Sequence, residues 1–121
     1  ADTVLTNSKV HIEQIIENLV SNAIKFSDRE KPTRFVEVSI EDIGDSQRIT
    51  VIDNGLGIAT DDRETMFQMF KRYHPDVAVG AGLGLYLVKQ SAARIGGEVT
   101  YSPTPSGSRF MLKLSKAPRA R

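Results

Sequence analysis

Gly80-Ala81-Gly82-Leu83-Gly84-Leu85 decides the fold, because glycines at alternate positions open directly into a run with helical spacing. Glycine has no Cβ, so its backbone can lie against an anion, and the first turn of a helix offers unpaired N–H groups. The pattern therefore indicates a phosphate-binding loop. The same glycines would also suit a tight turn or close helix packing, and no Lys-Ser/Thr pair follows as in a Walker A loop.

A second glycine-rich stretch, Asp53-Asn54-Gly55-Leu56-Gly57-Ile58, follows a strand-like segment at 47–52. A carboxylate at a strand end can accept a hydrogen bond from a ligand amine while the glycines let that ligand approach the main chain. Asp, Asn and Gly are also the ordinary residues of a turn after a strand. Taken alone, this stretch favours the ordinary turn over the ligand site.

The segment Lys9 to Phe26 predicts a helix with an unusual polar edge. Its core-facing stripe has apolar residues at helical spacing, namely Ile12, Ile16, Leu19 and Ala23. Asn18, Asn22 and Lys25 fall on a separate flank about 60° wide. Asn is a poor helix former, and its side-chain carbonyl suits Mg²⁺ held together with phosphate oxygens. The edge therefore indicates a metal and phosphate site, with a solvated helix flank as the alternative.

Four stretches resemble, in order, the conserved boxes of sensor histidine kinases. They are the N box (18–26), the G1 box (53–58), the F box (66–70) and the G2 box (80–85). The resemblance extends from about Lys9 to Leu114. It implies the catalytic, ATP-binding domain of a two-component histidine kinase. The implied Bergerat fold is α+β, a two-layer sandwich in which about three helices cover one face of a mixed, mostly antiparallel sheet.

The resemblance also implies a catalytic set. Asn22 is similar to the family's Mg²⁺ ligand, and Asn18 to the preceding position that helps to order metal and phosphates. Lys25 matches a phosphate contact, and Arg72 matches a cation that reaches the terminal phosphate. The expected cofactors are therefore ATP and Mg²⁺.

Further positions are implied to bind the nucleotide itself. Phe26 matches the aromatic residue that packs on adenine, and Asp53 matches the carboxylate that accepts a hydrogen bond from the adenine amino group. The other implied contacts are Gly55 and Gly57 at the base and Gly80, Gly82, Leu83 and Gly84 along the phosphates. Phe67 and Phe70 resemble anchors under a lid, with a plain core role as the alternative. The stretch 106–110 resembles a closing strand that brings a hydroxyl near adenine.

The chain departs from the family pattern at two places. Ala81 stands where Thr or Ser is common, so one hydroxyl near the phosphates is missing. The interval 73–79 is short for a lid over the nucleotide. Neither His11 nor His74 lies in a motif that resembles a phosphoacceptor box. The accepting histidine is therefore expected on a separate dimerisation and phosphoacceptor domain.

Composition predicts a single domain over residues 1–121, as a fragment of a longer chain with a disordered tail at 115–121. The formal charge of +1 argues against a nucleic-acid surface, and no apolar run is long enough for a bilayer. The absence of cysteine excludes disulfides and Cys-ligated metals. No direct membrane contact is expected in this fragment.

The expected partners are the protein's own phosphoacceptor domain and a response regulator receiver domain downstream, in a homodimeric parent protein. A cytoplasmic location is expected, whether that parent is membrane-anchored or not. The alternative function is a non-catalytic nucleotide-binding or interaction module of the same fold. Retention of Asn22, Asp53 and the G2 glycines favours the kinase interpretation.

Periodicity and turn residues predict the remaining elements. The first two are an extended piece at 3–6 and a hairpin whose inward residues are Val36, Val38, Ile40, Ile49 and Val51. A short helix follows, capped by Thr60 or Asp61 and running through Arg72, and then a helix from Leu83 that is stopped by Gly96 and Gly97. The last is a second hairpin of 98–101 and 109–114, which turns at 103–107.

Overall fold

The computed structural model describes residues 2–68 and 84–115, with side chains described from residue 9 onward. Its helices and strands, in chain order, are α1 (Asp2–Lys25), β1 (Val36–Asp42), β2 (Ser46–Asp53), α2 (Gly84–Arg94), β3 (Glu98–Thr104) and β4 (Gly107–Ser115). A 3₁₀ turn, Thr60–Asp62, follows β2 within the described residues. The predictions at Arg72, His74, Phe70 and 80–83, and all but the first residue of the predicted tail, fall outside the described residues. Ser115, where that tail was predicted to begin, belongs to β4.

The four strands form one sheet in the order β1-β2-β4-β3. Both predicted hairpins are present, and β4 of the second pairs with β2 of the first at the centre of the sheet. All three ladders between described strands are antiparallel. The α+β two-layer class predicted from the sequence is confirmed. The second hairpin turns more tightly than predicted, because Thr104 already pairs with Gly107.

The core lies between the helices and one face of the sheet. Its most buried members come from both layers, and they include Ile15, Leu19, Val51, Val88 and Leu112. Val51 of β2 stands opposite Phe110 of β4, so the inward residues of the two central strands meet beneath the helices. Burial of these apolar side chains stabilises the contact that holds α1 against the sheet.

The first helix differs from its prediction in start and in phase. It begins at Asp2, so the extended piece predicted at 3–6 is wrong. No glycine or proline precedes Lys9, and nothing in the sequence therefore stops the helix from extending backwards. The buried stripe is centred on Ile15, which is 0% exposed, whereas the predicted Ile12 and Ile16 are half-buried.

Two residues predicted to face inward are exposed. Val38 and Ile40 share the helix-facing side of the sheet, because they stand opposite Val51 and Ile49. They are nevertheless 42% and 63% exposed. The reason is the position of β1 at the edge of the sheet, beyond most of the area that the two helices cover.

The helix ends match expectation at one place and not at another. At the end of α2, Gly96 has φ +72°, and Gly97 N–H donates to the carbonyl of Ala92 at 2.8 Å, as predicted for a glycine stop. The helix predicted to start at Thr60 or Asp61 is wrong over its described part. Backbone hydrogen bonds between residues three apart form a 3₁₀ turn and further turns up to Gln68, and no side chain caps the 3₁₀ turn.

Within 2–68 and 84–115, no helix is both long and apolar enough to cross a bilayer.

Candidate functional site

The ends of α1, β2 and β4 meet around a small buried cavity, called here the inner cavity. Its volume is about 20 Å³, and it is lined by Asn22, Ala23, Phe26, Asp53, Gly57, Ile58, Ser108 and Phe110. Asn22 of α1 supplies the amide, and Phe26, just after α1, supplies the aromatic ring. β2 supplies the carboxylate at its last position, and β4 supplies a hydroxyl. Residues that are far apart in the sequence and were predicted to bind one ligand therefore line the same cavity.

Asp53 is the ionisable residue of the inner cavity. It is 7% exposed, and its Oδ1 accepts a hydrogen bond from Gly55 N–H at 2.8 Å. Burial raises the pKa of the Asp53 carboxyl above its ordinary value, and the Gly55 N–H and the charge of Lys31 oppose that rise. A carboxylate has capacity for donors beyond Gly55, so Asp53 can accept a further hydrogen bond from a ligand.

Close backbone contacts hold the 53–58 loop against the end of α1. Leu56 N–H donates to the carbonyl of Phe26 at 2.9 Å. A Cβ placed on Gly55 would lie 2.5 Å from that same carbonyl oxygen, so only glycine fits there. Gly57 has φ +75°, a conformation that side chains rarely adopt. Each of the two glycines predicted at the base pocket is thus required by the backbone, Gly55 by lack of space and Gly57 by its positive φ.

A polar group of β3 and β4 forms the rear of the site. Tyr101 Oη accepts a hydrogen bond from Ile58 N–H at 3.3 Å and lies 3.4 Å from Ser108 Oγ. Ser108 is 4% exposed. The hydroxyl expected from the 106–110 stretch is therefore that of Ser108. The role of Tyr101 had no signal in the sequence, because its strand position shows only an inward-facing aromatic residue.

The outer side of the 53–58 loop faces an open cleft of about 500 Å³, called here the outer cleft. Its ionisable lining residues are Asp28, Lys31, Arg63 and Tyr101. Lys31 Nζ donates to the main-chain carbonyls of Asn54 at 2.7 Å and Ser106 at 2.5 Å. Arg63 Nε donates to Ile58 O at 3.0 Å, and its guanidinium lies 5.6 Å from the centre of the Tyr101 ring. Neither cation is among the residues that the sequence predicts to bind a ligand.

The side chain of Asn54 fastens the segment that follows α1. Its Oδ1 accepts from Phe35 N–H at 2.9 Å, and its Nδ2 donates to Thr33 O at 2.8 Å. Both groups lie just before β1. Asn54 and Lys31 therefore connect the 28–35 segment to the loop that carries Asp53. Through its bond to Ser106 O, Lys31 also connects this segment to the tip of the β3–β4 hairpin.

Of the other predicted site residues on described elements, Gly84 lies close to the inner cavity, whereas Asn18 and Lys25 do not line it. Gly84 lies against Asn22, since a Cβ on Gly84 would be 3.4 Å from Asn22 Oδ1, so the start of α2 reaches the Asn22 side-chain amide. Asn18 is half-buried on the same helix, outside the lining of the inner cavity. Lys25 is exposed and lines a different cleft on the outer face of α1.

Phe67 has a core contact. Its ring meets that of Phe110 edge-to-face at 6.4 Å, and Lys89 Nζ lies 5.9 Å from its centre. Because Phe110 itself lines the inner cavity, Phe67 supports the cavity wall from behind. Phe67 thus packs against the core, as the core alternative predicts, whereas the predicted lid at 73–79 lies outside the described residues.

The donor chemistry fits a cation held mainly by phosphate. Among the described residues, no group of three or more His, Asp and Glu side chains could hold a metal ion. Mg²⁺ in nucleotide sites uses one or two protein oxygens together with phosphate oxygens and water. The Asn22 carbonyl, half-buried beside Gly84, suits such a site.

Comparison with known proteins decides the family. Residues 7–118 match the family described as histidine kinase-, DNA gyrase B-, and HSP90-like ATPase. The chain belongs to this ATPase family. It is an ATP-binding domain of the kind found in sensor histidine kinases, the proteins that both its sequence and its structure resemble.

Three relatives illustrate the resemblance of this ATPase domain. The sensor protein GacS of Pseudomonas syringae pv. syringae is 36% identical, over 97% of this chain and 13% of GacS. The mycobacterial sensor histidine kinase MprB superposes with a TM-score of 0.77 at 26% identity, over 90% of this chain and 74% of the MprB structure. Full-length ShkA in complex with AMPPNP gives 0.72 at 30% identity, over 88% of this chain and 21% of ShkA. The chain thus spans about an eighth of GacS.

Proposed function

We propose that this ATPase domain holds Mg-ATP for transfer of the γ-phosphoryl group to a histidine on a separate dimerisation and phosphoacceptor domain. The meeting of Asn22, Phe26, Asp53 and Gly57 at one cavity supports this most directly. ShkA, to which the chain is similar, was solved in complex with AMPPNP. AMPPNP is a nucleotide of the proposed class.

In this proposal Asp53 selects the base. Its carboxylate accepts a hydrogen bond from the adenine amino group, with Phe26 on the ring face and Gly55 and Gly57 beneath it. The inner cavity, at about 20 Å³, holds little more than one water molecule. Adenine is much larger than this volume, so the base would also occupy space beyond the inner cavity.

The phosphates would lie along the polar edge of α1 toward the start of α2. Asn22 would ligate Mg²⁺, Asn18 would help to order the metal and phosphates, and Lys25 would contact a phosphate. The metal, when bound, would neutralise phosphate charge during transfer. The remaining proposed contacts, outside the described residues, are Arg72, Gly80, Gly82 and Leu83. Gly84 adjoins Asn22 at the same end of α1.

The whole protein's partners follow from this chemistry. A domain that positions the phosphoryl donor needs a nucleophile from elsewhere, and a histidine on a dimerisation and phosphoacceptor domain supplies it. We propose a homodimeric parent kinase that passes phosphate on to a response regulator receiver domain. Its nucleotide-binding part would work in the cytoplasm.

Two measurements test the proposal. Calorimetric titration of the domain with AMPPNP should show binding that strengthens with Mg²⁺, and a folded sample that binds no nucleotide would overturn the proposal. Incubation with γ-labelled ATP should leave the domain itself unlabelled at His11 and His74. Addition of the phosphoacceptor domain of the parent protein should give acid-labile label on a histidine of that added domain. Binding without any transfer would instead indicate the non-catalytic module.

A further inference from the structure

We propose that Arg63 positions Ile58 as an apolar wall of the base pocket, and that this contact sets the affinity of the domain for the adenine ring. Arg63 lines the outer cleft and not the inner cavity, so it is a positioning residue that acts on the ring through Ile58. The inference rests on the proposed function, in which adenine binds at the inner cavity. It adds a residue outside the four boxes to the binding of the base.

Ile58 is a wall residue whose position matters on both sides of the 53–58 loop. It lines the inner cavity as well as the outer cleft. Its side chain is 5% exposed and belongs to the apolar core cluster. Ligand pockets are lined mainly by apolar side chains, and their residues must be held within about 0.5 Å to bind well. A small displacement of Ile58 would therefore change the fit of the ring.

One pair of side chains holds both main-chain polar groups of Ile58. Arg63 Nε donates to Ile58 O at 3.0 Å, and Tyr101 Oη accepts from Ile58 N–H at 3.3 Å. The two side chains also contact each other, with the guanidinium 5.6 Å from the centre of the Tyr101 ring. Tyr101 Oη lies 3.4 Å from Ser108 Oγ, which lines the inner cavity. The Arg63–Tyr101 pair thus connects the outer cleft to the cavity wall.

The local chain geometry brings Arg63 back to a residue five positions earlier. The 3₁₀ turn at Thr60–Asp62 reverses the chain, and Arg63 N–H donates to Thr60 O at 3.2 Å. Three residues further on, Met66 is 2% exposed in the core and anchors the segment. Arg63 itself is half-buried. A charged donor makes a stronger hydrogen bond than a neutral one, and a guanidinium loses less freedom per bond than an ammonium group.

The test separates a local effect at Ile58 from a general loss of stability. Amide hydrogen exchange of the nucleotide-free domain is measured by NMR at Ile58 and along β2, and the affinity for AMPPNP with Mg²⁺ is measured by calorimetry. The variants are Arg63→Met, which removes the charge and the donors, and Arg63→Lys, which keeps a charged donor. Arg94→Met is the matched control, because Arg94 is exposed in the last turn of α2 and lines neither the inner cavity nor the outer cleft.

We expect Arg63→Met to speed exchange of the Ile58 amide about tenfold or more while the β2 amides keep their rates. Affinity for AMPPNP should fall by about three- to tenfold, the range for one hydrogen bond from a half-buried cation. With the acceptor domain added, the KM for ATP should rise by the same factor at unchanged kcat, because a wall against the base binds ground state and transition state alike. Arg63→Lys should keep most of the affinity, and Arg94→Met should change none of these values.

A merely structural role gives a different result. If Arg63 only stabilises the fold, Arg63→Met lowers the unfolding temperature and speeds exchange of the β2 amides as much as that of Ile58, and the folded domain keeps its affinity for AMPPNP. That outcome overturns the inference. Faster exchange at Ile58 with unchanged affinity also overturns it, because binding of the ring would then not depend on the position of Ile58.

Failure of the unmodified domain to bind AMPPNP would overturn the proposed function instead, and exchange at Ile58 would still show whether Arg63 holds the loop. If Arg63→Met does not fold, Arg63→Gln takes its place, since Gln lacks the charge but keeps a polar side chain. An Arg63→Gln domain with the affinity and the Ile58 exchange rate of the unmodified domain would then overturn the inference.

Discussion

The main chain of Gly107 lies directly against the carbonyl oxygen of Asp53, with no room for a methyl group between them. Asp53 pairs with Ser108, the next residue along β4. Gly107 is thus the point at which the second hairpin enters the sheet beside the carboxylate. Its N–H is held by Thr104 Oγ1 at 2.9 Å, which fixes the turn from the other side.

Gly107→Ala should therefore lower the free energy of unfolding by at least about 2 kcal/mol, because the main chains of two strands must separate. Nucleotide affinity should fall with it, since Asp53 would move. Gly44→Ala is the matched control. Gly44 has φ +91° but no atom near a Cβ, so its replacement should cost only about 1 kcal/mol of conformational strain. Urea unfolding of both variants measures the difference. An equal loss of unfolding free energy in the two variants would show that the close approach of Gly107 to Asp53 O is not what makes glycine necessary.

Asp53→Asn should stabilise the nucleotide-free domain at neutral pH. The folded state raises the pKa of this carboxyl, so the folded state binds its proton more tightly than the unfolded chain does. The corresponding stability is present below the unfolded value, about 3.9, and is lost as the pH rises through the folded value. Asn is uncharged, so the variant does not carry the cost of a buried carboxylate charge at pH 7. Its side-chain oxygen can still accept the hydrogen bond from Gly55 N–H.

The same variant should weaken binding of the ATP analogue by about tenfold or more, because an amide replaces the charged acceptor. Urea unfolding at pH 7 and near pH 4, combined with calorimetry, checks both effects. Exposed Asp61→Asn is the control and should change neither. A destabilised Asp53→Asn domain at pH 7 would show that the charged form is favourable in the fold.

Asn22→Ala should abolish Mg²⁺-dependent transfer to the acceptor domain with a change in unfolding free energy of less than about 1 kcal/mol. The half-buried amide is lost, but Ala is the better helix former, and the two effects oppose each other. Exposed Ser21→Ala, on the same turn of α1, is the control for the helix effect and should retain transfer. A large loss of stability would make Asn22 a structural residue.

Tyr101→Phe should cost about 1 kcal/mol of stability, because Ile58 N–H loses its acceptor while the ring contact with Phe110 is kept. Nucleotide affinity should fall modestly, since Ile58 lines the inner cavity. Tyr86→Phe on α2, away from both the inner cavity and the outer cleft, removes a hydroxyl as a control. Thermal unfolding and calorimetry decide whether the Tyr101 hydroxyl organises the loop.

Local chemistry made much of the site predictable. Asn22 is readable in the sequence because Asn is costly inside a helix. Asp53 and Gly55 would suit an ordinary turn after a strand, and they become readable only together with the other boxes. The packing confirms the steric need at Gly55, where a side chain would strike the carbonyl of Phe26. Residues whose reason lies within a few positions of themselves are the ones that a sequence reveals.

The parts that could not be predicted depend on distant partners. Lys31 looks like any surface lysine, and its role arises only when folding brings Asn54 O and Ser106 O within reach. Ile15 could not be separated from Ile12 and Ile16, because a shift of one helical position leaves the apolar pattern almost unchanged. Ile40 fits an inward strand position, but its exposure depends on how far the helices extend over the edge of the sheet.

The central ladder between β2 and β4 has a consequence for the order of folding. The first hairpin and α1 can form from neighbouring residues, whereas Asp53 meets Ser108 only after most of the chain has been synthesised and β4 has closed the sheet. Pairings of such high sequence separation form slowly. Nucleotide can then bind only molecules that have completed this step, so ATP should slow the unfolding of finished domains without hastening their formation.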